Sequence, residues 1–318
     1  MKDLLIPLSV KPDKRSEYLK NISLLTCSSG NLFLIAGDQK IEHLNDDFYG
    51  PKITPEDNDP EHLFKIAAAS NGGVLATHLG LISKYGNSYR KLPYIVKLNG
   101  KTNLNQKEEQ NSSKPFWKVE DIINFKKQSG LKIVGIGYTI YLGGKYESKM
   151  LAQAAKAIFQ AHQAGLAAII WIYPRGKDIK EEDTHTIAGA AGVAACLDAD
   201  FIKVKYPYGL KDKKLAAQKF QEVTTAAGRS RIICVGGSKQ PAKELLEFLS
   251  LQLELGHTAG LAIGRNLHQR PLEEASRLAK AISALVLRKK TLKEAEKIYL
   301  NKATDSQKKI SGKFLGLF

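Results

Sequence analysis

The sequence predicts a single-domain (β/α)8 barrel, and three observations carry that reading. Eight short β-branched or apolar runs recur along the 318 residues, each ending in glycine, polar or charged residues. Amphipathic helical patterns alternate with the runs in the second half. The runs are continuously apolar rather than alternating, which suits parallel strands covered on both faces. Eight strand–helix alternations fit a closed barrel, with a doubly wound open sheet as the alternative.

In order, the predicted strands are Asn31–Asp38, Gly73–Leu79, Tyr94–Asn99, Ile133–Tyr141, Ala167–Tyr173, Phe201–Tyr206, Arg231–Gly236 and Thr258–Gly264. Helical patterns cover Ser148–Ala164, Thr186–Leu197, Lys211–Ala227, Pro241–Leu255 and Pro271–Leu287. Pro241 and Pro271 suit a first helical turn, where the missing N–H costs nothing. Gly50–Pro60 reads as a long polar loop, and the Asn-rich Lys101–Pro115 as a lid or a partly disordered segment. The expected division is an N-terminal segment (1–30), the barrel (31–287) and a basic C-terminal extension (288–318). In that extension Thr291–Leu300 reads as a helix, and the apolar end FLGLF as a docking segment.

Composition narrows the function classes. Hydrophobic residues make up 43% and charged residues 25%, which excludes a disordered or collagen-like chain. The three cysteines, Cys27, Cys196 and Cys234, lack paired spacing; two of them sit in apolar or small-residue runs, and buried reduced thiols are expected. No stretch reaches 18 uninterrupted apolar residues, and MKDLLIPLSVKPDKRSEYLK is too weakly apolar for a signal peptide, so a soluble cytoplasmic protein without membrane contact is expected. The net charge of +16 favours anionic partners. Nine Lys/Arg against three Asp/Glu fall between Arg288 and Phe318, and no aromatic-interleaved basic stripe accompanies them, so nucleic acid is a minor expectation.

A barrel of this kind presents its chemistry at the carboxyl ends of the strands. Asp38 ends the first run and Lys97 the third; Trp171 and Tyr173 end the fifth, and Lys203 and Lys205 the sixth. The period of two in FIKVKY sets Lys203 and Lys205 on one side. An ammonium confined beside a second cation loses its proton readily and becomes an amine nucleophile able to form a Schiff base. A lysine pair that reaches solvent or carboxylates is the plainer alternative. Gly236-Gly237-Ser238 and Gly264-Arg265 follow the seventh and eighth strands, where barrels commonly hold phosphate. Asp38 and Tyr173 are the candidate acid–base groups, although Asp38 could equally cap a helix or pair with Lys97 or Lys203. His43, His78, His162, His185, His257 and His268 show no HxH or HExxH spacing, so no metal site is expected. Gly135-x-Gly137 lacks the third glycine of a dinucleotide fingerprint, and no cofactor is expected.

The strings GDQKIEH, VKLNGKT, GYTIY, IWIYPRG, ADFIKVKY, CVGGSK and IGRNLHQR occur in that order between Phe33 and Leu287. In them the chain resembles the archaeal-type class I fructose-bisphosphate aldolases, a group that also holds the autoinducer-2 thiolase and aminodideoxyheptulosonate synthase. The resemblance implies a metal-free aldolase with Lys203 as Schiff-base lysine, Tyr173 as proton-transferring tyrosine, Trp171 lining the pocket and Asp38 as the active-site aspartate. It also implies that Gly236, Gly237, Ser238, Gly264 and Arg265 bind the phosphate of a sugar substrate, and that the enzyme is a homo-oligomer. Lys205 or Lys97 would then keep Lys203 deprotonated. Relatives commonly carry Asp-His-Gly where this chain has Asp38-Gln39-Lys40, and Pro-Gly-Ser where it has Leu142-Gly143-Gly144. The alternatives are a transaldol or acyl-transfer enzyme of the same group and a non-catalytic barrel that binds nucleic acid.

Overall fold

The computed structural model describes residues 5–104, 111–207 and 211–301. Eight parallel strands close into a barrel: β1 (Leu32–Ala36), β2 (Val74–His78), β3 (Pro93–Lys97), β4 (Lys132–Leu142), β5 (Ala167–Pro174), β6 (Phe201–Val204), β7 (Arg231–Val235) and β8 (Gly260–Ile263). Each pairs with its successor, and β8 closes on β1 with Leu32 opposite Gly260 and Ile35 opposite Ile263. All eight runs are therefore strands, in order, and closure removes the open-sheet alternative.

The reason for their continuous apolar character is visible in the packing. Leu32, Leu34 and Ala36 of β1, with Ala167 and Ile169 of β5, belong to the inner cluster that fills the barrel. Their neighbours Phe33, Ile35, Ala168 and Ile170 lie in the outer cluster under the helices. Both faces are dry, so neither can be polar.

Helices occupy Glu147–Gln163, Thr184–Cys196, Ala242–Glu254 and Leu272–Arg288, as the patterns required. The span Lys211–Ala227 instead forms two helices, Lys213–Lys219 and Gln221–Ala226, that meet at the fully buried Phe220. Pro241 and Pro271 stand one place earlier than expected, as N-caps with ψ of 138° and 144°. Their carbonyls accept the first helical bonds, from Leu245 at 3.1 Å and Ala275 at 2.9 Å, so the fixed φ serves the cap rather than the first turn. The polar loop 50–60 contains a 3₁₀ turn, Pro55–Asn58, whose Asp57 is buried. Lys114–Pro115 pairs antiparallel with Asn99–Gly100; residues 105–110 of the expected lid lie outside the described residues.

Only Cys234 is buried. Cys27 and Cys196 are exposed free thiols, because both stand at helix ends, where small-residue runs no longer face the core. After the barrel, Leu292–Leu300 is a helix with a reciprocal Thr291–Glu294 capping box. The FLGLF end lies outside the described residues. Among the described residues no helix is long and apolar enough to cross a membrane.

The amino-terminal end of the barrel is closed by the helix Arg15–Thr26, whose Tyr18, Ile22 and Leu25 join the inner cluster. Behind it His162 is fully buried, with Nδ1 at 2.8 Å from Ser9 Oγ and 3.2 Å from Asp198 Oδ2, and Nε2 at 3.1 Å from Asp200 Oδ2. Burial would lower its pKa, but the hydrogen bonds and charges of Asp198 and Asp200 outweigh it and raise the pKa to about 9. A raised pKa stabilises the fold fully below the unfolded value near 6.5, and the gain is lost as pH climbs through 9. We therefore expect the urea midpoint to fall between pH 6.5 and 9.5, a loss of up to about 3 kcal/mol. His162→Gln should flatten that segment of the curve; an equally steep fall in the variant would place the cause elsewhere.

Candidate active site

Inward alternation continues past the apolar layers to the carboxyl ends of the strands, and there the inner residues become polar. Lys97 follows Ile95 on β3, Trp171 and Tyr173 follow Ile169 on β5, and Lys203 follows Phe201 on β6. Asp38 stands two residues beyond Ala36 at the end of β1. These side chains converge. The Lys203 and Lys97 ammoniums lie 5.2 Å and 5.1 Å from the centroid of the same Trp171 ring, and Lys97 Nζ lies 3.7 Å from Asp38 Oδ2. Lys97 is 1%, Lys203 4% and Asp38 5% exposed.

Two buried cations thus share one carboxylate. Burial lowers the Lys203 pKa, and Lys97 lowers it further, against the opposing attraction of Asp38. Burial would raise the Asp38 pKa, but Lys203 and Lys97 outweigh it and hold the carboxyl below its usual range. Lys97 is the fixed member of the pair, since it donates to Thr139 Oγ1 at 2.6 Å and to the Asn99 carbonyl at 3.3 Å. Among described groups, Lys203 Nζ has no hydrogen bond of that kind and is the better placed to react.

Lys205 does not join the cluster. β6 ends at Val204, so the strand alternation that set the two lysines together stops one residue short. Its ammonium turns to Glu181 at 3.3 Å and Glu182 at 3.0 Å. The neighbouring cation is Lys97 instead, contributed by a different strand.

Gly137 explains the pocket's floor. A Cβ there would lie 2.5 Å from Trp171 Cζ3 and 3.2 Å from Lys97 Cδ, so the missing side chain makes room for the indole and the lysine stem. Of the glycine pair set aside as a weak dinucleotide signal, Gly137 has this steric purpose, while a Cβ at Gly135 would instead meet the Ala167 carbonyl oxygen at 2.6 Å. Tyr173 stacks on Tyr141 with centroids 6.1 Å apart, and the Arg175 guanidinium covers both rings at 5.1 Å and 4.9 Å. Burial, then Asp38 and Glu42, raises the Tyr173 pKa, so its phenol keeps its proton.

Across the mouth, the loops after β7 and β8 are held together by Asn266, which donates to the carbonyls of Gly236 and Ser238, each at 2.8 Å, and accepts from Gln240 N at 2.9 Å. The carbonyls are thereby committed, while the N–H groups of Gly237 and Ser238 bond to no described residue. Arg265 Nε is buried without a hydrogen bond and forms a long ion pair with Asp47, at 3.9 Å. Ser238, Lys239, Arg265, Arg270 and Lys52 border an open groove of about 580 Å³. Free amides, guanidinium and lysines together suit a phosphate.

Sequence reasoning passed over several residues here. Asn99 and Asn266 act by bonding backbone, which no motif announces. Gln39 Oε1 is buried without a partner, and an ideal Cβ at Gly264 would lie 2.0 Å from it, so that glycine is required by Gln39 itself. Lys40, the added cation beside Asp38, turns away to the Phe48 ring at 4.3 Å and Asn45 Oδ1 at 3.1 Å. Among the described residues no cluster of His, Cys, Asp and Glu is arranged to hold a metal ion.

A barrel whose mouth holds a buried amine beside a carboxylate, a protonated phenol and a pair of loops suited to an anion fits an enzyme of imine chemistry on phosphorylated carbonyl compounds. The DeoC/LacD family aldolases match residues 32–270, and the chain belongs to that family. It is 49% identical to the fructose-bisphosphate aldolase/6-deoxy-5-ketofructose 1-phosphate synthase of Methanocaldococcus jannaschii over 94% of this chain and 95% of the relative. It is 32% identical to the class 1 fructose-bisphosphate aldolase of Thermoproteus tenax over 83% and 93%. In structure it is similar to a fructose-bisphosphate aldolase from Slackia heliotrinireducens, with a TM-score of 0.89 and 42% identity over 100% of this chain and 97% of that one. It is also similar to an archaeal fructose-1,6-bisphosphate aldolase whose catalytic lysine carries the substrate's carbinolamine intermediate, with a TM-score of 0.72 and 29% identity over 85% and 99%.

Two outcomes follow from this geometry. Lys97→Met removes a like charge, so the Lys203 amine becomes more basic and the acid limb of kcat/KM moves to higher pH; an unmoved limb would separate the two lysines. Gly137→Ala should cost about 1–3 kcal/mol of stability from overpacking and at least tenfold in kcat, because the indole or the lysine must move. Denaturation and steady-state kinetics check both parts.

Proposed function

We propose that the chain is a class I aldolase that reversibly cleaves fructose 1,6-bisphosphate, or a closely similar phosphorylated ketose, to dihydroxyacetone phosphate and an aldehyde. The observation that carries the reading is Lys203, buried in the mouth with its pKa depressed beside Lys97. The names of the relatives and of the structural neighbours support the same substrate class.

The Lys203 amine attacks C2 of the ketose, and loss of water leaves an iminium. The C3–C4 bond then breaks: its electron pair moves into the iminium to form an enamine, the C4 hydroxyl gives its proton to solvent water, and C4 departs as the aldehyde. Tyr173, held protonated, delivers a proton to C3 and regains one from water. Water hydrolyses the restored iminium and releases dihydroxyacetone phosphate and free Lys203. Asp38 bonds substrate hydroxyls and assists the proton transfers at the carbinolamine, and its charge stabilises the iminium. Trp171 is the apolar wall beside the new bond. Gly236, Gly237, Ser238, Gly264 and Arg265 bind the C1 phosphate. Lys97 sets the Lys203 pKa and lies within reach of the same substrate face, whereas Lys205 acts outside it.

The M. jannaschii relative's double name favours a second use of the same intermediate. The enamine on Lys203 is a carbon nucleophile, and a second aldehyde can capture it in place of a proton. One lysine then serves both cleavage and transaldol-type synthesis. The reading extends to a cytoplasmic homo-oligomer in hexose phosphate metabolism, which sedimentation and fractionation test.

Borohydride reduction in the presence of dihydroxyacetone phosphate and EDTA, followed by peptide mapping, should place a stable adduct on Lys203. Lys203→Met should lose the adduct and at least 10³-fold in kcat while its circular dichroism is unchanged. Retained turnover in that variant would overturn the mechanism.

A further inference from the structure

His78 ends β2, and Val74 and Ala76, four and two residues earlier, lie in the inner cluster of the barrel. Alternation therefore turns the imidazole inward. It is 7% exposed, and its Nδ1 is enclosed without a hydrogen-bond partner among the described residues. Strand pairing sets it beside Lys97. Phe116 covers the ring, with centroids 5.6 Å apart, and a Cβ at Gly100 would lie 3.3 Å from His78 Cε1. The ring is clamped, and an enclosed nitrogen without a partner costs about 1–3 kcal/mol. No step of the cleavage set out above uses it.

The position across the mouth indicates what the nitrogen meets. In the ring of eight strands β2 stands opposite β6, while the phosphate loops follow β7 and β8. A ketose with its C1 phosphate on those loops and C2 bonded to Lys203 directs its remaining carbons toward the β2–β4 side. Burial and the Lys97 ammonium, against the attraction of Asp38, lower the His78 pKa to about 4, so the ring is neutral at working pH. A neutral ring so resistant to protonation is a poor acceptor for the C4 hydroxyl proton that cleavage releases. It suits a hydroxyl that keeps its proton throughout.

We propose that His78 is a specificity-determining residue that hydrogen-bonds, through Nδ1, the hydroxyl next to the aldehyde carbonyl, which is the C5 hydroxyl of the ketose. The inference rests on the Schiff-base reading of Lys203. His78 thereby favours α-hydroxylated aldehydes over chains of equal length that lack the hydroxyl.

The test runs in the synthetic direction, with dihydroxyacetone phosphate and either glyceraldehyde 3-phosphate or its 2-deoxy analogue. The wild type should prefer the hydroxylated aldehyde in kcat/KM. His78→Leu should reduce that preference about tenfold to a hundredfold, by losing rate with glyceraldehyde 3-phosphate alone, and His78→Gln should restore part of it. Should His78→Leu fail to fold, His78→Phe is read in its place, since its ring keeps the Phe116 contact and lacks both nitrogens. An unchanged preference in a folded variant that still traps dihydroxyacetone phosphate on Lys203 overturns the role of His78. Absence of trapping in the wild type overturns instead the reading of Lys203.

Discussion

The site depends on an electrostatic imbalance: two buried ammoniums, Lys97 and Lys203, face one carboxylate, Asp38, across a single indole. With equal numbers the cluster would settle as a closed ion pair, and a lysine so paired would stay protonated. With one cation in excess, the cheapest relief is loss of a proton from the lysine that has fewer hydrogen bonds. Lys97 is anchored by Thr139 and Asn99, and it is the Lys203 pKa that burial and the Lys97 charge lower. Trp171 opposes it weakly, because a ring face attracts both cations by about 0.5–2 kcal/mol each. Reactivity is thus set by residues from β1, β3, β4, β5 and β6, and none of them alone would produce it.

The closed barrel is what makes that imbalance sustainable. An excess charge of this kind repels its own scaffold, and a flexible loop would simply carry Lys97 away to another partner, as Lys205 turns to Glu181 and Glu182 once β6 has ended. Parallel strands paired on both edges prevent this. Gly137 matters for the same reason: by lacking a side chain it leaves room for the indole and the Lys97 stem that the cluster shares.

This explains which parts were legible in the sequence. The eight strands were, because burial on both faces leaves a one-dimensional apolar signal, and strand ends are where barrels expose chemistry. Asp38, Lys97, Trp171, Tyr173 and Lys203 were legible for that reason. The choice between the two cations named for Lys203, Lys205 and Lys97, was not: a period of two relates residues within a strand and so favours Lys205, whereas Lys97 comes from β3, three strands earlier in sequence. Only closure of the barrel brings β3 and β6 to a common axis. Asn266 and Asn99 were hidden because their work is done on backbone carbonyls, and the steric purpose of Gly137 because it consists of an absence. Cys196 was misjudged because a small-residue run marks close helix packing, which is lost at the last turn.

The two buried histidines show how the molecule divides stability from function. At the amino-terminal end His162 has partners for both nitrogens, from Ser9, Asp198 and Asp200, and is held charged up to about pH 9. At the carboxyl end His78 is as deeply enclosed, lacks a partner at Nδ1, and is held neutral down to about pH 4. Four more buried atoms without a hydrogen bond, Asp38 Oδ1, Trp171 Nε1, Gln39 Oε1 and Arg265 Nε, lie at the same mouth, while others lie away from it, such as Thr258 Oγ1 before β8 and Arg277 Nε in the helix Leu272–Arg288. A buried polar atom in want of a partner is costly to the fold wherever it lies; at the mouth a bound ligand can supply what the chain does not. His162 spends both nitrogens on the fold, and His78 leaves one open to a ligand.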